Sequence, residues 1–315
     1  VLGPFWNGLG GKLAERWMAL LLSPALLFWA TGAIAWHWNR TRPSLHHDGW
    51  TAVARHLGEQ VRTLPAVMQG LLVTASLIVV MLSALAAQRL TVPVVRALSG
   101  YWPRRLDWLQ KPLLDRRSER IRRDTRRLRE LAGVSDEALD WRQRRTYAEL
   151  QRRYLLAPTD PSRHMATRLG NILSAFEDRP RARYGLHTEV CWPRLWLLLP
   201  DEAKKEVEDA RQWLSGAAQA WLWGLLLTVW TPWAWWVLPL GAVVCGTSYF
   251  RALNAAVSYG EIFVACFDVH RGLLYQGLRW PLPASPAEEQ AGGQALSAYL
   301  ENGSVAAEPR FSDPA

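Results

Sequence analysis

The sequence predicts an all-α integral membrane protein, with four transmembrane helices and a mostly helical cytoplasmic domain inserted between the second and third. Three observations carry this. Residues 212–250 hold no charged side chain and are broken in the middle by Trp230-Thr231-Pro232-Trp233. Residues 17–38 and 63–88 are likewise free of acids, lysine and arginine. Basic residues crowd into the interval between them and the C-terminal apolar stretch: residues 89–211 hold 27 basic and 18 acidic side chains.

Each span follows from length. A hydrocarbon core of about 30 Å needs about 20 helical residues at about 1.5 Å each. The first expected span covers about residues 17–38. Lys12 and Arg16 precede it and Ala33-Ile34-Ala35 resembles a signal-peptidase site, but the apolar run exceeds the length of a signal core, and Trp36 and Trp38 read as interfacial anchors. It is therefore expected to be retained. The second covers about residues 64–88. One helix over residues 212–250 would measure roughly 58 Å, so the chain is expected to turn at Pro232, which has no N–H to give a helix, and to form a transmembrane hairpin with Trp230, Trp233, Trp235 and Trp236 at headgroup depth. The implied domains are 1–90, a first transmembrane pair; 91–211, an arginine-rich helical domain; 212–251, the hairpin; 252–283, a juxtamembrane helix; and 284–315, an acidic tail.

Orientation follows from the basic residues. The loop at 39–62 carries only Arg40, Arg42, Arg55 and Arg62, whereas thirteen basic side chains lie in 89–129. The positive-inside rule then puts the central domain in the cytoplasm, and four spans put both termini there too. The formal net charge of +9 is accounted for by topology and by the anionic inner leaflet, which attracts each nearby Lys or Arg by about 1 kcal/mol. Nucleic acid is not an expected partner, because no nucleic-acid motif accompanies the charge. Cys191, Cys245 and Cys266 form neither a disulfide framework nor a metal spacing.

Within the central domain, Leu114, Ile121, Leu128 and Leu131 mark one thin apolar stripe on a charged helix ended by Gly133, and Ser135 opens a second helix running toward Leu155. A helical hairpin is the expected form. The proline-bounded run Trp192 to Pro200 is too short to span and is expected to be a docked or interfacial segment, followed by a helix from Asp201. After the last span, Val257, Phe263, Phe267, Leu274 and Leu278 share one helical face.

Four elements stand out: Thr167-Arg168-Leu169-Gly170-Asn171, Tyr184-Gly185-Leu186, Trp192-Pro193-Arg194-Leu195-Trp196, and Tyr259-Gly260 with Phe267-Asp268 and Arg271. In them the chain resembles a group of uncharacterised multi-pass membrane proteins common in actinobacteria. The resemblance covers roughly residues 160–285 well and the first two spans only in pattern, and it implies location, a bacterial plasma membrane, and not activity. The binding candidates, for an anion or a protein partner, are Arg168, Asn171, Arg194, Asp268 and Arg271. At the first element an anion held by Arg168 and backbone N–H groups competes with a plainer reading, a helix start in which Arg168 pairs with Glu177 or Asp178. The plainer reading is favoured, since neither a preceding strand nor repeated glycines are present.

No catalytic residue, metal ligand set or cofactor is expected. His46, His47, Asp48 and His56 are weak metal candidates on a loop, and Glu261, Asp268 and His270 do not share a face. The favoured function is a membrane-anchored binding or assembly protein presenting a basic helical domain to the cytoplasm. Its expected partners are membrane lipids, a cytoplasmic protein or further copies of itself. An oligomeric channel and a membrane-bound enzyme acting on lipid or envelope material are the alternatives.

Overall fold

The computed structural model describes residues 24–41, 65–134 and 140–303, and all their regular structure is helical. In chain order the helices are α1 (Pro24–Thr41), α2 (Ala66–Ser99), α3 (Asp107–Ala132), α4 (Trp141–Leu155), α5 (Arg168–Tyr184), α6 (Thr188–Leu198), α7 (Asp201–Leu227), α8 (Val237–Gly277) and α9 (Pro286–Asn302). The described residues fall into two compact units. One lies within Val1–Val94 and Gly216–Phe250, the other within Val95–Ser215 and Arg251–Ala315.

In the first unit, small side chains let α1, α2, the end of α7 and the start of α8 pack closely. Ala25 and Ala87 are buried with Leu222 and Trp223, and Ala35 with Leu227, Ala234 and Val237. Gly224 and Gly241 mark the closest approach of α7 to α8, since a Cβ on Gly241 would lie 2.8 Å from the Gly224 carbonyl oxygen. Phe28 bridges Trp223 and Trp230 at ring distances of 5.6 and 5.5 Å, and the Trp29 indole N–H donates to Ser83 Oγ at 3.0 Å. α7 gives way to a 3-10 turn at Thr228–Trp230, and α8 begins only after Pro232 and its flanking tryptophans.

Two described helices, not four, are long and apolar enough to cross a membrane by length and composition. They are α2 and α8. Uncharged residues 66–88 of α2 reach about 35 Å, enough for the hydrocarbon core, and its apolar side chains point outward, with Val67 at 76 % and Leu71 at 65 % exposure. The expected first span fails because the described helix turns polar at His37, Asn39 and Arg40, leaving about 20 Å of apolar length; residues 17–23, with Lys12 and Arg16, lie outside the described residues. The third fails because the uncharged part of α7 is short and studded with Trp213, Gln219, Trp221 and Trp223. The expectation of a four-span, multi-pass plasma-membrane protein is overturned with them. The inference that both termini face the cytoplasm rested on four crossings and falls too.

The second unit is built around α5. Leu169, Ile172 and Phe176 on α5 are buried with Cys191 and Leu195 of α6, Phe267 and Leu274 of α8, and Leu296 of α9. The apolar run at 192–200 thus docks as part of a helix, its Trp192 ring 4.5 Å from Phe263. α5 ends at Gly185 in the left-handed conformation (φ 71°), and α9 crosses there so closely that a Cβ on Gly293 would sit 1.9 Å from the Tyr184 carbonyl oxygen. Asp140 caps α4 in a capping box with Gln143; Ser135 and the four residues after it lie outside the described residues. α3 and α4 pair as a charged arm in which α3 buries no residue and α4 only Leu150.

Candidate functional site

The Thr167–Asn171 element is first a piece of architecture. Thr167 Oγ1 accepts from the Gly170 N–H at 3.0 Å, capping α5. Gly170 lies against the end of α2, where a Cβ would come within 2.0 Å of the Ser99 carbonyl oxygen. Asn171, 3 % exposed, spends its amide on the backbone: Nδ2 donates to the Met165 and Thr167 carbonyls at 2.7 Å each, and Oδ1 accepts from the Met165 N–H at 3.0 Å. These bonds fix the loop that leads into α5 and so fix where Arg168 starts.

Arg168 faces a cleft of about 450 Å³ between the α3–α4 arm, the start of α5 and Asn254 of α8. Five arginines line it: Arg117, Arg120, Arg152, Arg153 and Arg168. Its two acids, Asp124 and Glu149, both pair with Arg153, at 3.4 and 2.6 Å. Among the described residues no carboxylate within 4 Å answers Arg120, Arg152 or Arg168. The acids expected for Arg168 are held elsewhere: Arg163 takes Asp178 at 2.9 Å, Glu177 at 3.7 Å and Glu189 at 4.0 Å. The arm is held to α5 by Arg179, whose Nη2 donates to the Leu155 carbonyl at 2.8 Å, and by His164 Nδ1 at 3.1 Å from Ser118 Oγ. Burial and nearby Arg122 push the His164 ring toward its neutral form.

The other candidates lie apart from this cleft. Arg194 donates back to the Val190 carbonyl at 2.7 Å, within its own helix. Asp268 accepts from Tyr184 Oη at 2.6 Å and pairs with Arg183 at 3.3 Å. Arg271 pairs with Glu289, donates to the Asp268 carbonyl and stands 4.3 Å from the Tyr184 ring centroid. This group ties α5, α8 and α9 together, and every polar arm in it already has a partner. Asn171 lines the cleft with Arg168, but its amide is committed to the loop.

Comparison with protein-family models, with curated proteins and with solved structures finds no match to this chain. The resemblance to actinobacterial membrane proteins therefore has no family match behind it. What stands is that the described residues are all-α and hold two candidate spans. Among the described residues no group of three or more His, Cys, Asp or Glu side chains is placed to hold a metal ion; His46, His47, Asp48 and His56 lie outside them.

Sequence reasoning missed two things. One is the role of Arg163 as the shared partner of three acids, for which the preceding Asp160-Pro161 turn is the only local signal. The other is the convergence of Arg120 and Arg152 on Arg168, which no spacing along the chain announces.

Proposed function

We propose that this chain is a membrane-associated binding protein whose arginine-lined cleft takes up a phosphate-bearing anion, either a lipid headgroup or a free phosphate ester, while the outward apolar faces of α2 and α8 contact lipid. The observation that supports the reading is the charge imbalance of the cleft: among the described residues no carboxylate lies within 4 Å of Arg120, Arg152 or Arg168, because the two acids of the cleft, Asp124 and Glu149, are both engaged by Arg153. Guanidinium forks match the oxygen geometry of phosphate in paired hydrogen bonds. Holding several of them unpaired around one cavity raises mutual repulsion that an anion relieves.

The test uses the purified full chain in neutral detergent, titrated with phosphatidylglycerol or with inorganic phosphate. At about 1 kcal/mol per arginine near an anionic surface, replacing Arg120, Arg152 and Arg168 together by alanine weakens phosphatidylglycerol binding on the order of a hundredfold. Saturation by inorganic phosphate alone would assign the ligand to the soluble class. Unchanged affinity of the triple variant for both probes would overturn the proposal.

A further inference from the structure

A second cleft, of about 380 Å³, opens in the same unit between α5, α6 and α8 and shares no residue with the arginine cleft. Its chemistry is opposite. Five of its lining residues are aromatic (Tyr101, Phe176, Trp192, Tyr259 and Phe263), two are carboxylates (Glu177 and Glu189), and none is basic. Trp192, Phe263 and Tyr259 form one continuous aromatic wall, with ring centroids 4.5 Å apart for the first pair and 6.2 Å for the second. Phe176 reaches the cleft because residue 260 is glycine: a Cβ there would fall 2.1 Å from its ring. Arg163 is the cation paired with both carboxylates. It is shared among Glu177, Glu189 and Asp178, with its shortest contact, 2.9 Å, to Asp178, so the group as a whole keeps an excess of negative charge.

Electron-rich ring faces together with carboxylates are what a cation with an apolar surface requires. The ring quadrupole attracts the charge, the carboxylates neutralise it, and the walls cover its methyl or methylene groups. An anion would meet two like charges here, and a neutral apolar group would leave both acids with only the shared, longer contacts to Arg163. The protein already uses the same interaction beside this cleft, where the Arg179 guanidinium stands 4.1 Å from the Phe176 centroid.

We propose that this cleft binds a small organic ammonium ion, of the choline or alkylated-amine type. The full chain in non-ionic detergent is titrated calorimetrically with choline and with 3,3-dimethyl-1-butanol, which has the same shape without the charge. Choline saturates one site, and the neutral alcohol binds at least about tenfold more weakly. Y101A and E189Q, at positions 63 % exposed and with an 81 % exposed side chain, leave the thermal midpoint unchanged and each weaken choline by about threefold to tenfold. R168A, in the other cleft, leaves choline binding as it was. Tighter binding of glycerophosphocholine than of choline assigns the ammonium to a lipid headgroup, and the reverse order assigns it to a free amine. Lack of saturation by choline, equal binding of the neutral alcohol, or wild-type affinity in both Y101A and E189Q would each overturn the proposal.

Discussion

At position 170 an alanine would place its Cβ 2.0 Å from the Ser99 carbonyl oxygen, and because the obstacle is backbone, a whole helix end must move to accept it. G170A is expected to destabilise the protein by about 1–3 kcal/mol, measured as a lower unfolding midpoint in detergent. Glu177 gives a second prediction. Its side chain is 48 % exposed, yet burial of its stem against the cleft wall, with Asp178 and Glu189 nearby, holds its carboxyl above the usual range despite Arg163. A raised carboxyl binds its proton more tightly when folded than unfolded, so stability falls as pH rises from the ordinary glutamate value through the raised one. E177Q is therefore expected to raise the unfolding midpoint at neutral pH, with the gain vanishing below the ordinary carboxylate range; a pH series of thermal melts checks both halves. The Thr167–Asn171 element was visible in the sequence as unusual, but its reason was not. A glycine forced by the distant Ser99 carbonyl and an asparagine bonded to its own loop are tertiary facts.

Helix type was legible from periodicity, and the count of crossings was not. Absence of charge was the wrong measure: tryptophan settles at the membrane interface and glutamine needs partners for its amide, so the uncharged part of α7, with Trp213, Gln219, Trp221 and Trp223, looked more like a span than it is. α2 passes because it is rich in leucine, valine and isoleucine on every face. That separates lipid from water as its solvent. Leu82 on α2 is 57 % exposed, so L82R in water would be nearly neutral, whereas at the centre of a bilayer it costs about 2.5–3.5 kcal/mol. We expect L82R to shift the protein from the membrane fraction toward the carbonate-extractable one, followed by immunoblot; an unchanged distribution would mean that α2 is covered by protein instead. The docking of residues 192–200 was legible for the opposite reason, since prolines bounded a run too short to cross. The α3–α4 arm was recognisable from its alternating charges, but which arginines would be left without acids depended on Arg153 taking both Asp124 and Glu149.

For the molecule as a whole, the two clefts of the second unit divide the ionic chemistry, one cationic and one anionic, on a chain whose net charge is +9. Binding at the arginine cleft should fall steeply with ionic strength, because exposed guanidinium groups are screened over about 8 Å at physiological salt. Between pH 6 and pH 9 it should stay flat for a phosphodiester probe, whose charge is fixed over that range; affinity measured over both series checks the contrast. A steep pH dependence with little response to salt would point to a titrating group such as His164 instead. The identity of the five cationic residues has one more consequence. The chain holds only four lysines, Lys12, Lys111, Lys204 and Lys205, and none lines that cavity. Acyl transfer to amines, whether by a cell's enzymes or by a chemist's reagents, finds no lysine there to neutralise, so the electropositive character of the hollow survives that chemistry and is masked by an occupant instead.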